Sequence, residues 1–330
     1  MRLVLALPHL LALDPAILAR MPGLARIAAS ADAPLCVEAG LEAACVAAAG
    51  APADASLAHL AATGAGFDPG TATVLFADPV TLVAGRDDIL FRGRVDDLAD
   101  SDARTLVAML NAHFESDGIV FHTPRPDAWF VTADTARTLT TTPPTAIRGA
   151  IYPHLPRGDA AKSWRRWLSE MQMLLHEHAI NAKRERTGLA PVTGVWIWGG
   201  GRQDWQDPLP GTVWIAPAGR AGDAVRGLAR RAGRTAIAPP ASLAAVDGAA
   251  GVHAVLPPAH TADDVAALDT AWLAPAAAAL ARGTLDAITL IGDAGGAAWR
   301  WDARRPAFLR RLRHRFAAPP FVVPAPAADA

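Results

Sequence analysis

From residue 211 onward the chain alternates short, wholly apolar runs with alanine-rich stretches, and few architectures accommodate such a pattern. Strands are predicted at 212–215, 235–238, 252–256 and 287–291, with helical sequence between them. Runs this short and uniformly apolar are buried on both faces. A parallel sheet with crossover helices buries them that way. Residues 2–8 read as one more buried strand, closed by Pro8, and 74–77 as another. The chain has 330 residues, 52% hydrophobic and 19% charged. It is therefore long enough for two domains, or one large domain carrying an insertion, and too apolar to be disordered.

The middle of the chain has a different texture. A helix predicted from Ser101, its cap, carries Ala103, Leu106, Val107, Leu110 and Phe114 as one apolar stripe. Asp117-Gly118 turns the chain into a hairpin of 119–122 with 129–131. A second helix, 163–178, is expected from a Ser163 cap, with Trp164, Trp167, Leu168, Met171, Leu174 and Leu175 along one face. Gly188 and Pro191 close that segment, and a strand at 195–198 opens into Gly199-Gly200-Gly201. Helical segments at 14–30, opened by Asp14 and interrupted at Met21-Pro22, and at 40–63, broken at 50–52, complete the first part. The expectation is an α/β core formed by 1–87 and 191–316, an inserted α+β domain over 88–190, and a disordered proline- and alanine-rich tail over 317–330.

A formal net charge of −1 gives no reason to expect nucleic acid or an anionic membrane as partner. Two cysteines, Cys36 and Cys45, are too few for a disulfide framework or a thiolate zinc site and fit a reducing compartment. The apolar start, Leu3 to Leu7, is broken by Pro8 and His9 and reads as a strand rather than a leader. No stretch of ~18 uninterrupted apolar residues occurs, so no membrane span is expected, and the protein is expected to be cytoplasmic. A basic helix over 304–316, with Arg304, Arg305, Arg310, Arg311, Arg313, His314 and Arg315, reads as a solvated face; a docking element is the alternative. The three glycines match neither a Walker loop nor a dinucleotide fingerprint.

The segment from His178 through Asn181, Arg184, Gly188 and Pro191 to Trp196-Ile197-Trp198-Gly199-Gly200-Gly201 resembles the Asn-x-x-Arg…Gly…Trp-x-Trp-Gly-x-Gly stretch of archaeal-type cofactor-independent phosphoglycerate mutases. It is still more similar to the bacterial RpfE-type regulatory proteins, relatives of those mutases. Ala77-Asp78-Pro79-Val80, Leu110-Asn111-Ala112-His113-Phe114 and Glu170–His176 agree with the second group. The resemblance covers about 70–215. It implies an alkaline phosphatase-like core with an inserted cap domain.

The resemblance also implies phosphoryl transfer from a Ser or Thr nucleophile beside two divalent metals, Mn or Zn, held by Asp and His. A hydroxyl is a weak nucleophile until a metal lowers its pKa, and the transferring group needs a charge clamp. Such ligands stand in Asp-Gly after the first strand, in Asp-x-x-x-His, and in Asp-His. Here the first strand runs into Pro8-His9, neither of the last two spacings occurs, and the C-terminal position reads Ile291-Gly292-Asp293-Ala294-Gly295. His253, His260 and Asp293 are the remaining metal candidates, and no cofactor is expected unless the mutase reading holds. Asn181, Arg184, Arg186, Asp78 and the glycines Gly199, Gly200 and Gly201 are the candidates for holding a phosphorylated or carboxylated metabolite, through guanidinium forks and bare backbone N–H groups. Two departures from the resembled pattern stand nearby: Thr81 where a histidine is usual, and Thr193-Gly194 where Ala-Asn is usual. The expectation is a phosphoglycerate mutase-like protein with a degenerate two-metal site, acting as a metabolite-binding or regulatory protein. An active metal-dependent mutase or phosphatase, and an interaction protein using the basic helix, are the alternatives.

Overall fold

The apolar N-terminal run becomes the middle of a sheet. The computed structural model describes residues 1–134, 139–206, 211–246, 249–305 and 321–324. In chain order the strands are β1 (Arg2–Leu7), β2 (Leu35–Val37), β3 (Val74–Ala84), β4 (Ile89–Arg94), β5 (Val120–Arg125), β6 (Ala128–Thr132), β7 (Gly194–Trp198), β8 (Thr212–Ile215), β9 (Gly251–Val255), β10 (Ala287–Asp293) and β11 (Ala298–Arg304). The chain divides into two units, Met1–Ala51 with Gln206–Ala330, and Pro52–Trp205.

The first unit holds a six-stranded sheet in the order β2-β11-β10-β1-β9-β8. β10, β1, β9 and β8 are parallel, and β11 and β2 close one edge antiparallel. This is the mainly parallel α/β core that the sequence predicts. Leu3, Leu5 and Leu7 pack with Ile288, Leu290, Leu273 and Leu280 on one face, and helix Gly40–Ala48 covers the other. Only an isolated parallel bridge, Ile215 to Ile237, stands where a strand at 235–238 is expected. With Pro239 and Pro240 next in sequence, the ladder has no room to extend.

Met21-Pro22 does break the first helical segment, into Pro15–Leu18 and Pro22–Ala29, the first capped by Asp14. Helix Pro22–Ala29 packs against the run Ala262–Leu268, Asp269–Leu273 and Ala274–Arg282, whose middle turn is π-helical. The Asp269 carboxylate, buried in that turn, accepts from the N–H groups of Gly23 and Leu24 at 3.1 Å each. A Cβ on Gly23 would stand 2.3 Å from the Ala274 nitrogen, so only glycine allows this approach. By length and composition Ala262–Arg282 is apolar enough to cross a membrane, which the search for uninterrupted apolar runs overlooks because it carries charged residues. Its Val265, Trp272, Leu273, Ala276 and Leu280 lie in the core of this unit, which accounts for the apolar face.

Arg304, expected to open the basic helix, ends β11 instead; residues 306–316 lie outside the described residues. In the expected disordered tail, Phe321 is buried with its ring 5.4 Å from that of Trp301, because β11 leaves an apolar surface for it to cover.

The second unit is built on an antiparallel sheet in which β3 pairs with β4, β6 and β7, and β5 with β6. Helices Asp100–Phe114 and Ala161–His176 cover one face. The expected stripes are the buried ones, Ala103, Leu106, Val107, Leu110 and Phe114, and Trp164, Trp167, Leu168, Met171 and Leu175, except that Leu174 is only half-buried at the margin of the second. This unit is wider than the insertion expected at 88–190. The run 74–77, read as a core strand, belongs to the eleven-residue β3, whose partners all lie inside Pro52–Trp205.

Candidate functional site

Asn181 and Arg184 sit on helix Ala179–Arg186, whose N-cap His178 accepts at Nδ1 from the Ile180 N–H. Both are buried, and both are committed within the protein. Asn181 donates to the carbonyls of Leu175 and Val192 at 2.7 and 2.8 Å and accepts from the Val192 N–H at 2.8 Å. Arg184 donates to the Ala190 carbonyl at 2.7 Å and pairs with Asp97. These bonds lock the return of the chain into β7. Arg186 is exposed on the same helix.

The Thr81 and Thr193 departures meet at this corner. Thr81 donates to the Pro191 carbonyl at 2.6 Å, while Thr193 accepts from the Leu82 N–H and donates to the Leu82 carbonyl. Gly194 follows because a Cβ there would stand 2.7 Å from the Leu82 side chain. Polar groups here are thus spent on joining β3 to β7.

Asp78 is fully buried in β3, accepts from the Trp198 indole N–H at 2.7 Å, and lies 3.8 Å from the Arg94 guanidinium. The glycine run is shaped by packing. A Cβ on Gly199 would press on the Phe76 ring at 2.6 Å, one on Gly200 on the Leu75 side chain at 2.5 Å, and one on Gly201 on the Asp54 carbonyl at 2.3 Å. Gly199 further accepts from the Ala58 N–H at 2.9 Å. The glycines are explained by backbone approach between this loop and 54–58 rather than by an anion cradle.

The metal candidates are not brought together. His253 lies inside β9 beside Val4 of β1, and burial pushes its imidazole down to about 3, with Arg2 adding to the effect. His260 precedes a capping box in which Asp264 accepts from the N–H groups of His260 and Thr261. Asp293 is at the far end of β10. Among the described residues no group of three or more His, Cys, Asp or Glu could hold a metal ion. The donors present therefore do not fit a two-metal centre.

What the fold does assemble is a charged cluster at the carboxyl ends of β1 and β10, where open α/β sheets bind ligands. Asp293 is 7% exposed and accepts from the His9 N–H at 2.7 Å and from the Gly295 N–H at 3.0 Å. Burial raises its carboxyl above the ordinary value, opposed by those two hydrogen bonds and the neighbouring His9. His9 is held at φ 59°, ψ 14°, left-handed and the only non-glycine residue with positive φ among those described. Its ring is exposed. Glu42 acts on Asp293 electrostatically and lies 3.8 Å from Arg220, the first residue of helix Arg220–Arg231. His9, Glu42 and Arg220 belong to no recognisable motif. Only His9 left a signal, as the residue standing where the resembled pattern has Asp-Gly.

No protein-family model matches the chain. Over 61 residues, 18% of this chain and 16% of the relative, it is 43% identical to the 2,3-bisphosphoglycerate-independent phosphoglycerate mutase of Methanothrix thermoacetophila. Over 175 residues, 48% and 44%, it is 29% identical to mutase 2 of Methanothermobacter thermautotrophicus. It is similar to these mutases. The chain spans less than half the length of these curated relatives. Among solved structures, the cofactor-independent phosphoglycerate mutase of Thermoplasma acidophilum gives a TM-score of 0.41 at 14% identity, over 93% of this chain and 90% of that one. The PH0037 protein of Pyrococcus horikoshii gives 0.46 at 14%, over 94% and 92%.

Proposed function

We propose that this protein is a phosphoglycerate mutase-like binding or regulatory protein. It would hold a small phosphorylated or carboxylated metabolite at the carboxyl edge of its parallel sheet without transferring phosphate, in the cytoplasm. One observation carries the reading: both oxygens of Asp293 are engaged by the backbone N–H groups of His9 and Gly295. The carboxylate at the end of β10 thereby serves as a clamp on the chain, which supports a binding role for this edge. The clamp fixes an imidazole at the edge, where a ring N–H is placed to donate a hydrogen bond to an anion. Arg220 and the N-terminus of its helix add positive potential nearby, and Glu42 opposes part of it. The alkaline phosphatase-like ancestry and the regulatory role rest on the sequence resemblance.

The first measurement is elemental analysis of protein purified without chelator and supplied with Mn²⁺ and Zn²⁺, alongside a mutase assay on 3-phosphoglycerate. Background metal, no turnover, and binding of 3-phosphoglycerate by calorimetry that weakens about tenfold in His9→Ala are expected, the weakening being that of one lost charge-assisted hydrogen bond. Two equivalents of tight metal with turnover would overturn the reading in favour of an active mutase.

A further inference from the structure

A concave site lies at the opposite, amino-terminal end of the same sheet. Arg2 and Val4 of β1, Thr212 and Trp214 of β8, and Gly251 and His253 of β9 stand side by side in register, on one face. With Ala48, Ala49 and Gly50 from the end of helix Gly40–Ala48, they enclose a cavity of about 480 Å³, within the range of small-molecule sites. The walls are mostly apolar. Trp214 and His253 stack at 5.2 Å and 27° to form part of the wall.

The lining and its one charged group indicate the class of ligand. The Trp214 Nε1 and His253 Nε2 atoms are closed off from solvent and have no hydrogen-bond partner among the described residues, so the two side chains add no reachable polar nitrogen to the cavity. At the mouth, Arg2 is exposed and has no hydrogen-bonded or ion-paired carboxylate among the described residues. One free guanidinium above an apolar cavity matches one carboxylate on an apolar body. A phosphate would leave most of its oxygens against apolar walls, and an amine would meet a like charge.

We propose that this cavity binds a small apolar monocarboxylate, its carboxylate on Arg2 and its body against Val4, Ala49 and Trp214. The site is separate from the carboxyl-edge cluster, and the proposal stands whether or not that cluster binds a metabolite.

Octanoate is the probe, with octanol and inorganic phosphate as controls, measured by calorimetry and by the indole N–H resonance of Trp214, assigned from the spectrum of Trp214→Phe. Octanoate is expected to bind and shift that resonance, and to outcompete octanol about tenfold, the weight of one charge-assisted hydrogen bond. Arg2→Gln, an exposed change, should bring octanoate down to octanol, and Ala49→Trp, filling the cavity, should abolish both. Circular dichroism and thermal melts confirm that each variant is folded. Absence of octanoate binding overturns the proposal. So does binding that leaves the Trp214 resonance unmoved, or that persists unchanged in folded Arg2→Gln and Ala49→Trp.

Discussion

At the residue scale, His9 and His253 show two ways of using an imidazole. His9 occupies a backbone conformation that glycine adopts more readily, held there by Asp293. His9→Gly is therefore expected to leave stability unchanged or raise it by about 0.5–1 kcal/mol in urea unfolding, while weakening 3-phosphoglycerate binding. A loss of more than about 1 kcal/mol would mean that the ring, and not the clamp, holds the turn. His253 is neutral, with a folded value of about 3 against 6.5 in the unfolded chain. Between those values the unfolded state binds more protons, so the contribution of His253 is full above pH 6.5 and is lost as pH falls toward 3. Unfolding free energies of the natural protein should thus fall more steeply over that window than those of His253→Phe, which keeps the ring stack and cannot titrate. Parallel pH profiles would contradict this.

At the element scale, the return into β7 depends on Asn181. Replacing it with alanine leaves the Leu175 and Val192 carbonyls and the Val192 N–H without their partner. Asn181→Ala is expected to cost about 2–3 kcal/mol and to speed amide exchange of Val192, read by hydrogen exchange. Uniform exchange outside that corner would argue that the loss is global.

This corner also marks the limit of what the sequence discloses. Helix stripes were legible because burial follows a 3.6-residue period: of the expected Trp164–Leu175 face every residue is buried except Leu174, which is half-buried at its margin. Caps were less so. The helices begin at Asp100 and Ala161, ahead of Ser101 and Ser163, since the residues preceding each serine suit a helix equally well. Strand assignment to a sheet was hidden, because 74–77 reads as a buried run in either unit and only its pairing with β6 and β7 decides. The signature residues Asn181, Arg184 and Gly199–Gly201 were found by pattern. Their hydrogen bonds and close contacts, invisible in a sequence, reassign them to holding the fold. The cluster of His9, Glu42, Arg220 and Asp293 draws on four distant segments, which no local pattern joins.

At the scale of the molecule, each unit carries a sheet and a buried cluster of its own. A fragment of residues 52–205 is expected to fold alone, with a cooperative thermal transition and the near-ultraviolet circular dichroism of packed tryptophans. A fragment with helical far-ultraviolet signal but no near-ultraviolet signal would show that its core needs the rest of the chain.

The two ends of that unit are joined by a parallel bridge between Ala55 and Arg202, with Ser56 donating to the Arg202 carbonyl at 2.9 Å and Arg202 to the Asp54 carbonyl at 2.7 Å. Chain entering the unit and chain leaving it thus run side by side, as the two legs of a stem. To the parallel sheet everything between the legs weighs no more than a short connection, since the span to be closed is set by the stem and not by the residues beyond it. The insert is in this sense a cassette. It can lengthen, shrink or be exchanged over generations without disturbing the register of β1 with β9 and β10, while the sheet's own two edges remain free to acquire ligands independently.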